Sequence, residues 1–314
     1  MSVTMDDVQR FEAFRPRLEA IAYRLLGSSS EAEDAAQETY LRWQAADTGL
    51  IEVPEAWLTK VVTNLCLNQL GSARARRETY VGQWLPEPLL AGDPMLGPLD
   101  TAEQRESVSY AVLVLLERLT PAERAVYVLR EAFDYPHREI AQILDISEAA
   151  SQQLLHRAKK HVAQGRVRAE VEAATARRVV EEFLAAATSG RTEPLVRLLT
   201  EDVEAIGDGG GKIPARARAV QGALEVAKFM RGLFKPSPAK LGLVGGAVEF
   251  HLAAANDRPA LVAVVDGRVV GVMCLEISAG GIAAFRNQVN PDKLERATGI
   301  WAATEHDEPL ATLG

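Results

Sequence analysis

PHREIAQILDISEAASQQLLHRAKKHV, Pro136–Val162, has the pattern of a short helix, a tight turn and a longer helix. Ile140, Ile143, Leu144 and Ile146 close a small apolar core, and Ala141 is small where two helices would cross. Asp145-Ile146-Ser147 is a tight turn, with Ser147 capping a second helix. Asp145 stands where glycine is usual, and Asp tolerates left-handed geometry. Along the second helix Leu154, Leu155, Ala158 and Val162 face in, while Gln152, His156, Lys159 and Lys160 share an outward face. Ser151 occupies a position where an aliphatic residue is commoner. An apolar back, a polar front and a basic far end suit a helix that enters a DNA major groove. Gln can pair bidentately with adenine, and Lys and Arg set phosphate affinity. A plain helical hairpin is the competing reading. The capping, the short turn and five basic residues without an acid between Ala149 and Ala169 speak against it.

Upstream, Thr120-Pro121-Ala122-Glu123 is a capping box with proline at the first helical position, opening a helix to about Arg130. The apolar run Ala111–Leu119 precedes it. Residues 6–72 are helical by spacing, with Phe11, Phe14, Leu18, Ile21, Ala22, Leu25 and Leu26 on one face. Gly27-Ser28-Ser29 stops that helix, and Ser30 with Glu33 caps the next. There Ala32, Ala35, Ala36, Tyr40 and Trp43 form the buried stripe, leaving Asp34, Gln37, Glu38, Leu41 and Arg42 outward. A loop spans Gln44–Pro54, and Glu55–Leu70 is helical again.

Glu78–Glu106 breaks the pattern with four prolines and reads as a linker. Its WLPEPLL segment, Trp84–Leu90, is too apolar to leave in water and is expected to dock. From Val203 the period changes to that of strands: Val203–Ile206, Ala247–His251, Leu261–Val265, Val269–Ile277 and Ile282–Val289. Asp266-Gly267 is a hairpin signal. Helices at 171–188, 193–199 and 222–234 precede or interrupt these strands, which predicts an α+β domain with helices on one side of an antiparallel sheet. The acidic tail after Ala302 is expected to be loose.

With 314 residues, the chain is too long for one average domain. Its 43 Asp and Glu against 35 Lys and Arg give a net charge of -8, so it is no general nucleic-acid sponge. Two windows nonetheless carry only positive charge, Ala56–Arg77 and Ala149–Ala169. That pattern fits DNA contact at two separate places. Cys66 and Cys274 form neither a disulfide framework nor a metal pair. No apolar run is long enough for a membrane helix, and no secretory signal opens the chain, so a cytoplasmic protein without membrane contact is expected.

SSSEAEDAAQETYLRW (Ser28–Trp43), AWLTKVVTNLCLNQL (Ala56–Leu70) and Leu119–Val162 resemble regions 2 and 4 of the extracytoplasmic-function (ECF) sigma factors of bacterial RNA polymerase. The C-terminal half resembles the subgroup with a fused SnoaL-like domain. WLPEP (Trp84–Pro88), DGGGK (Asp208–Lys212) and NPDKL (Asn290–Leu294) are similar to that subgroup's signature segments. The resemblance implies two all-α sigma domains followed by an α+β SnoaL-like cone: 1–75 region 2, 76–108 an acidic Pro-rich linker, 109–168 region 4, 171–300 the cone and 301–314 a tail.

It also implies roles. Asp34, Gln37, Glu38 and Arg42 would bind core RNA polymerase. The Gln44–Pro54 loop and the next helix would recognise the −10 promoter element, through Trp57, Lys60 and Asn64, with Arg74, Arg76 and Arg77 on the phosphates. Ser151, Gln152, His156, Arg157 and Lys160 would read the −35 element. Trp84, Leu85 and Pro86 would lie against Asp208, Lys212, Asn290, Pro291, Asp292 and Lys293 as a built-in regulator, making a separate anti-sigma protein unnecessary.

Two other readings stay open here. One is a helix–turn–helix regulator sensing a small molecule in the cone. The other is a cyclase-type enzyme using an acid/base group among Asp208, Glu249, His251, Asp266, Glu276 and Arg286. No nucleophile triad, zinc spacing or phosphate loop is present in the sequence, so neither catalysis, a metal nor a cofactor is expected.

Overall fold

The computed structural model describes residues 5–78, 80–165 and 171–314, with side chains described for all but 72–78 and 165. Two units divide the chain: Met1–Thr79 with Asp93–Arg166, and Tyr80–Gly92 with Val167–Gly314. The stretch read as one linker is therefore split. Its first half folds with the C-terminal unit and its second half with the helical one.

In the helical unit, α1 (Met5–Leu26) buries Phe11, Leu18, Ile21, Leu25 and Leu26 along one face. Helix α2 (Ser29–Ala45) is capped by Ser28, whose Oγ accepts from the Glu31 N–H at 3.3 Å. The expected cap at Ser30 is thus two residues late, because Ser28 is the residue with extended backbone. Trp43 of α2 is buried, donates its indole N–H to the Asp7 carbonyl at 3.1 Å and packs on Trp57 of α3 (Pro54–Glu78). Helices α4 (Ala102–Val108) and α5 (Tyr110–Leu116) follow. The Thr120/Glu123 capping box opens α6 (Pro121–Tyr127) as expected, and the chain continues through a wider π-helical turn, Val128–Ala132. Helices α7 (His137–Leu144) and α8 (Glu148–Gly165) form the helix–turn–helix. Asp145 between them is left-handed, at φ 53° and ψ 46°.

A buried arginine ties these helices together. Arg24 donates to the Leu96 carbonyl at 2.6 Å and to Ser107 Oγ at 3.1 Å, and lies over the Phe133 ring. Burial pulls its pKa down to about 9. Helices α3 and α7 also meet. Lys60 Nζ donates to Asp145 Oδ1 at 2.8 Å and to the Gln142 carbonyl at 2.9 Å, and the Thr59 and Tyr135 hydroxyls share a hydrogen bond at 3.0 Å.

The C-terminal unit runs α9 (Ala173–Thr188), α10 (Glu193–Leu198), β1 (Leu199–Asp208), β2 (Val220–Gln221), α11 (Ala223–Phe234), α12 (Pro238–Val244), β3 (Val248–Ala255), β4 (Arg258–Val265), β5 (Arg268–Ser278), β6 (Gly281–Gln288), α13 (Glu295–Ala302) and β7 (Ala311–Leu313). The sheet order is β2-β1-β6-β5-β4-β3-β7, antiparallel except for the β1–β6 pair. One face packs on α9 and α11 around Val180, Phe183, Val226, Met230 and Phe285, with the Phe183 and Phe285 rings 4.9 Å apart. The β4–β5 hairpin turns at Asp266 and Gly267, both at positive φ, as the Asp-Gly pair predicts. The tail departs from expectation: β7 pairs with β3 from Val248↔Leu313 to Phe250↔Ala311. An otherwise open sheet edge gives even three apolar-rich tail residues a place to pair.

Candidate functional site

The outward face of α8 forms as read. Gln152, His156, Arg157 and Lys160 are exposed, over buried Ala158 and Val162. Arg157 reaches Glu123 at 3.4 Å and Lys159 reaches Glu131 at 2.8 Å. Ser151 does not belong with them. It is fully buried, and its Oγ is 2.9 Å from His137 Nδ1, so it joins α8 to α7 and has no open side for a base. Its place four residues before Leu155 and seven before Ala158 puts it on the inward stripe.

On α2, Asp34, Gln37 and Arg42 are exposed, Glu38 is half-buried and pairs with Arg42 at 2.9 Å, and Leu41 beside them is 50% exposed. Trp57 is half-buried against Trp43, which makes it a packing residue with only part of its ring open. Asn64 is half-buried, and Lys60 is engaged by Asp145 of the helix–turn–helix. Arg74, Arg76 and Arg77 lie outside the described side chains. The loop before α3 adds two residues that pattern reading passed over, Leu50 at 80% and Val53 at 56% exposure. Large apolar side chains held in water suit a contact surface, and here they stand in the loop expected to recognise the −10 element.

The second site lies within the C-terminal unit and centres on Asp208, whose side chain is fully buried. Its Oδ1 accepts from the Tyr80 hydroxyl at 2.7 Å and the Gly210 N–H at 3.0 Å. Its Oδ2 accepts from the Leu85 N–H at 2.9 Å, Gln288 Nε2 at 3.2 Å and Lys293 Nζ at 2.8 Å. A carboxylate can be buried only with such a partner set, one opposite charge plus several donors. Lys293 also donates to the Leu85 carbonyl at 2.7 Å, and its ammonium lies 4.3 Å from the Trp84 ring centre and 4.8 Å from that of Tyr80. Gln288 donates to the Leu85 and Pro86 carbonyls. Burial, and then the hydrogen bond to Asp208, raise the Tyr80 pKa, so its hydroxyl stays a donor.

Asn290 completes this clamp. Its Nδ2 donates to the Tyr80 hydroxyl at 2.9 Å, and its Oδ1 accepts from the Asp292 N–H at 3.2 Å, at the start of a short turn beginning at Pro291. Gly210, at φ 59°, lies so close that a Cβ there would strike the Asn290 amide. Lys212 and Asp292 form an exposed pair at 2.6 Å on the rim. Further along, the Leu89 carbonyl accepts from the Asn256 N–H at 2.8 Å, and the Ala91 N–H donates to the Ala254 carbonyl at 3.0 Å. The WLPEP segment thus docks against Asp208 of DGGGK and Lys293 of NPDKL, the two segments expected to receive it. Tyr80, Gln288 and Asn256 are the members that sequence reading missed.

The scattered acid/base candidates sit in different surroundings. Asp208 is committed to the linker. Arg286 pairs with Glu276 at 3.1 Å and Glu204 at 2.5 Å. His251 Nδ1 donates to the Asp307 carbonyl at 3.1 Å, and its Nε2 lies 3.7 Å from Glu249. Asp266 serves the hairpin turn.

Family models match residues 10–76 as sigma-70 region 2 and residues 109–162 as sigma-70, region 4. The ECF RNA polymerase sigma factor SigJ of Mycobacterium tuberculosis (strain ATCC 25618 / H37Rv) is 38% identical over 297 residues, covering 91% of this chain and 93% of the relative. A probable ECF RNA polymerase sigma factor, SigI of M. tuberculosis (strain CDC 1551 / Oshkosh), is 33% identical over 293 residues, with 91% and 93% covered. The crystal structure of M. tuberculosis SigJ superposes with a TM-score of 0.70 at 36% identity, covering 91% of this chain and 97% of that one. The likeness therefore extends through the C-terminal unit as well as the helical one.

Proposed function

We propose, on the premise that this chain belongs to the ECF sigma factors of RNA polymerase, that its C-terminal unit regulates it in cis by holding the Tyr80–Gly92 linker. As a sigma factor it serves transcription initiation, joining core RNA polymerase and promoter DNA; sigma factors are not themselves enzymes. In this reading Asp34, Gln37, Glu38 and Arg42, with Leu41 among them, meet the polymerase. Charged rim groups steer such an encounter, and the exposed leucine supplies the apolar centre. The 44–54 loop with Leu50 and Val53, and α3 with Lys60 and Asn64, face the −10 element. Gln152, His156, Arg157 and Lys160 face the −35 element. The work is done in the cytoplasm, where the polymerase is, and no separate anti-sigma protein is needed.

The observation that carries the regulatory part is the buried Asp208 carboxylate, which bonds the Leu85 N–H of the linker and the Lys293 ammonium together. The linker joins the two promoter-reading regions in sequence, so whatever fixes it constrains their spacing. Run-off transcription from the chain's own upstream region, with purified core polymerase, tests both parts. A specific transcript only when the protein is present establishes promoter selection. Asp208→Ala and Trp84→Ala should change transcript yield and expose the linker to protease. Unchanged yield and unchanged linker protection in both variants would defeat the regulatory reading while leaving the sigma assignment in place.

A further inference from the structure

The free edge of β3 is covered in two pieces with a gap between them. At one end β7 pairs with Val248–Phe250, and the Leu310 N–H donates to the Phe250 carbonyl at 2.8 Å. At the other end the linker pairs at Leu90↔Ala255, and the Ala91 N–H donates to the Ala254 carbonyl. Backbone groups of alternate strand residues point the same way. Leu252 therefore turns its N–H and C=O toward this edge, in a gap of roughly 10 Å that neither added segment covers.

A cavity of about 530 Å³ opens onto this gap, within the size range of small-molecule sites. Its walls include His251, Leu252, Ala253, Trp301 and His306, with Arg177 and Glu181 of α9 at the side. The His306 imidazole lies flat on the Trp301 indole, with ring centres 3.4 Å apart and planes 4° from parallel, and His251 meets Trp301 edge-on at 5.0 Å. The wall thus already accepts a planar nitrogen heterocycle from the protein itself. Glu181, Glu305, Asp307 and Glu308 outnumber Arg177 around the cavity and disfavour an anion. Ala91 and Leu310 close the gap in line with the strand, so an extended peptide would have no way out along it.

We propose that this cavity binds a small, planar, uncharged nitrogen heteroaromatic, which pairs an adjacent donor and acceptor with the Leu252 C=O and N–H and lies against the Trp301–His306 wall. The site is distinct from the Asp208 clamp and does not rest on the sigma-factor reading. One N–H donor beside one ring-nitrogen acceptor matches the single carbonyl and single N–H that one strand residue offers.

The probe is 2-aminopyrimidine, titrated into the full-length protein while the Leu252 backbone amide and the Trp301 indole resonances are followed by NMR. Saturable one-to-one binding that moves both resonances is expected. The N,N-dimethyl analogue lacks the donor and should bind at least tenfold more weakly. Ala253→Leu, which fills the cavity, should abolish binding. In case the larger side chain disturbs β3, His306→Ala on the exposed tail should weaken binding several-fold with an unchanged Tm. Equal affinity of the dimethyl analogue, shifts confined to other residues, or no saturation up to the probe's solubility would each overturn the proposal.

Discussion

Helix α8 and the Asp208 clamp both depend on charged groups, and they place them oppositely. On α8 the groups that would meet DNA stand in water, and where they pair, as Arg157 does with Glu123, the arginine side remains 60% exposed. Solvated side chains such as these contribute little to stability, so the surface is free to be chosen for what it binds. At the clamp Asp208 is fully buried and its partner Lys293 nearly so. Burial costs both ions their hydration, and the cost is offset only while every partner stays in place. A recognition surface tolerates change one residue at a time, whereas a buried clamp fails as a unit.

The sharpest way to break this comparison is Asp208→Ala. Stranding Lys293 should lower the stability of the C-terminal unit by about 3–5 kcal/mol, the usual cost of removing one partner of a buried pair. Denaturant unfolding measures it, and a loss below 1 kcal/mol would mean that the clamp is held by something other than its charge. Gln152→Ala comes next. It should leave stability unchanged and cost about 1–3 kcal/mol of promoter discrimination, read as a fall in transcript from the matched −35 sequence relative to a mutated one. Lys160→Ala should weaken binding evenly across sequences and reduce the slope of log affinity against log salt by about one. The smallest effect is chemical. Burial raises the Cys274 pKa to about 12, so the folded protein should leave this thiol unlabelled by an alkylating reagent at pH 8, and labelling should appear only on unfolding.

The helical unit was largely legible because its signals are local. The Thr120/Glu123 box, the stripe of α1 and the left-handed Asp145 each depend on neighbours within a turn or two. Strands β4, β5 and β6 were legible for the same reason, since apolar runs and the Asp-Gly turn bound them. Strands β2 and β7 were not, because two or three residues carry no period and pair only where an edge is open. Ser151 shows a different failure. The stripe it shares with Leu155 and Ala158 points inward, yet a polar side chain beside Gln152 was assigned to DNA by resemblance. The clamp was half legible. WLPEP, DGGGK and NPDKL were in view, but Tyr80 lay inside a stretch treated as one linker, and Gln288 looked like the end of an ordinary strand. Nothing nearby in sequence reveals that both reach the same carboxylate.

The Leu85–Asp208 hydrogen bond spans 123 residues, and this has a consequence for how the protein is made. Synthesis proceeds from the N-terminus, at about 5–20 residues per second. The linker is therefore polymerised roughly 6 to 25 s before the residue that anchors it. Both helical regions, including α8 to Gly165, are complete 43 residues before Asp208 is added, about 2 to 9 s at that rate, while the strand that bears their restraint is not. Each new molecule passes through an age at which its promoter-reading parts exist without their anchor, and that age is set by the distance along the chain between residues 165 and 208.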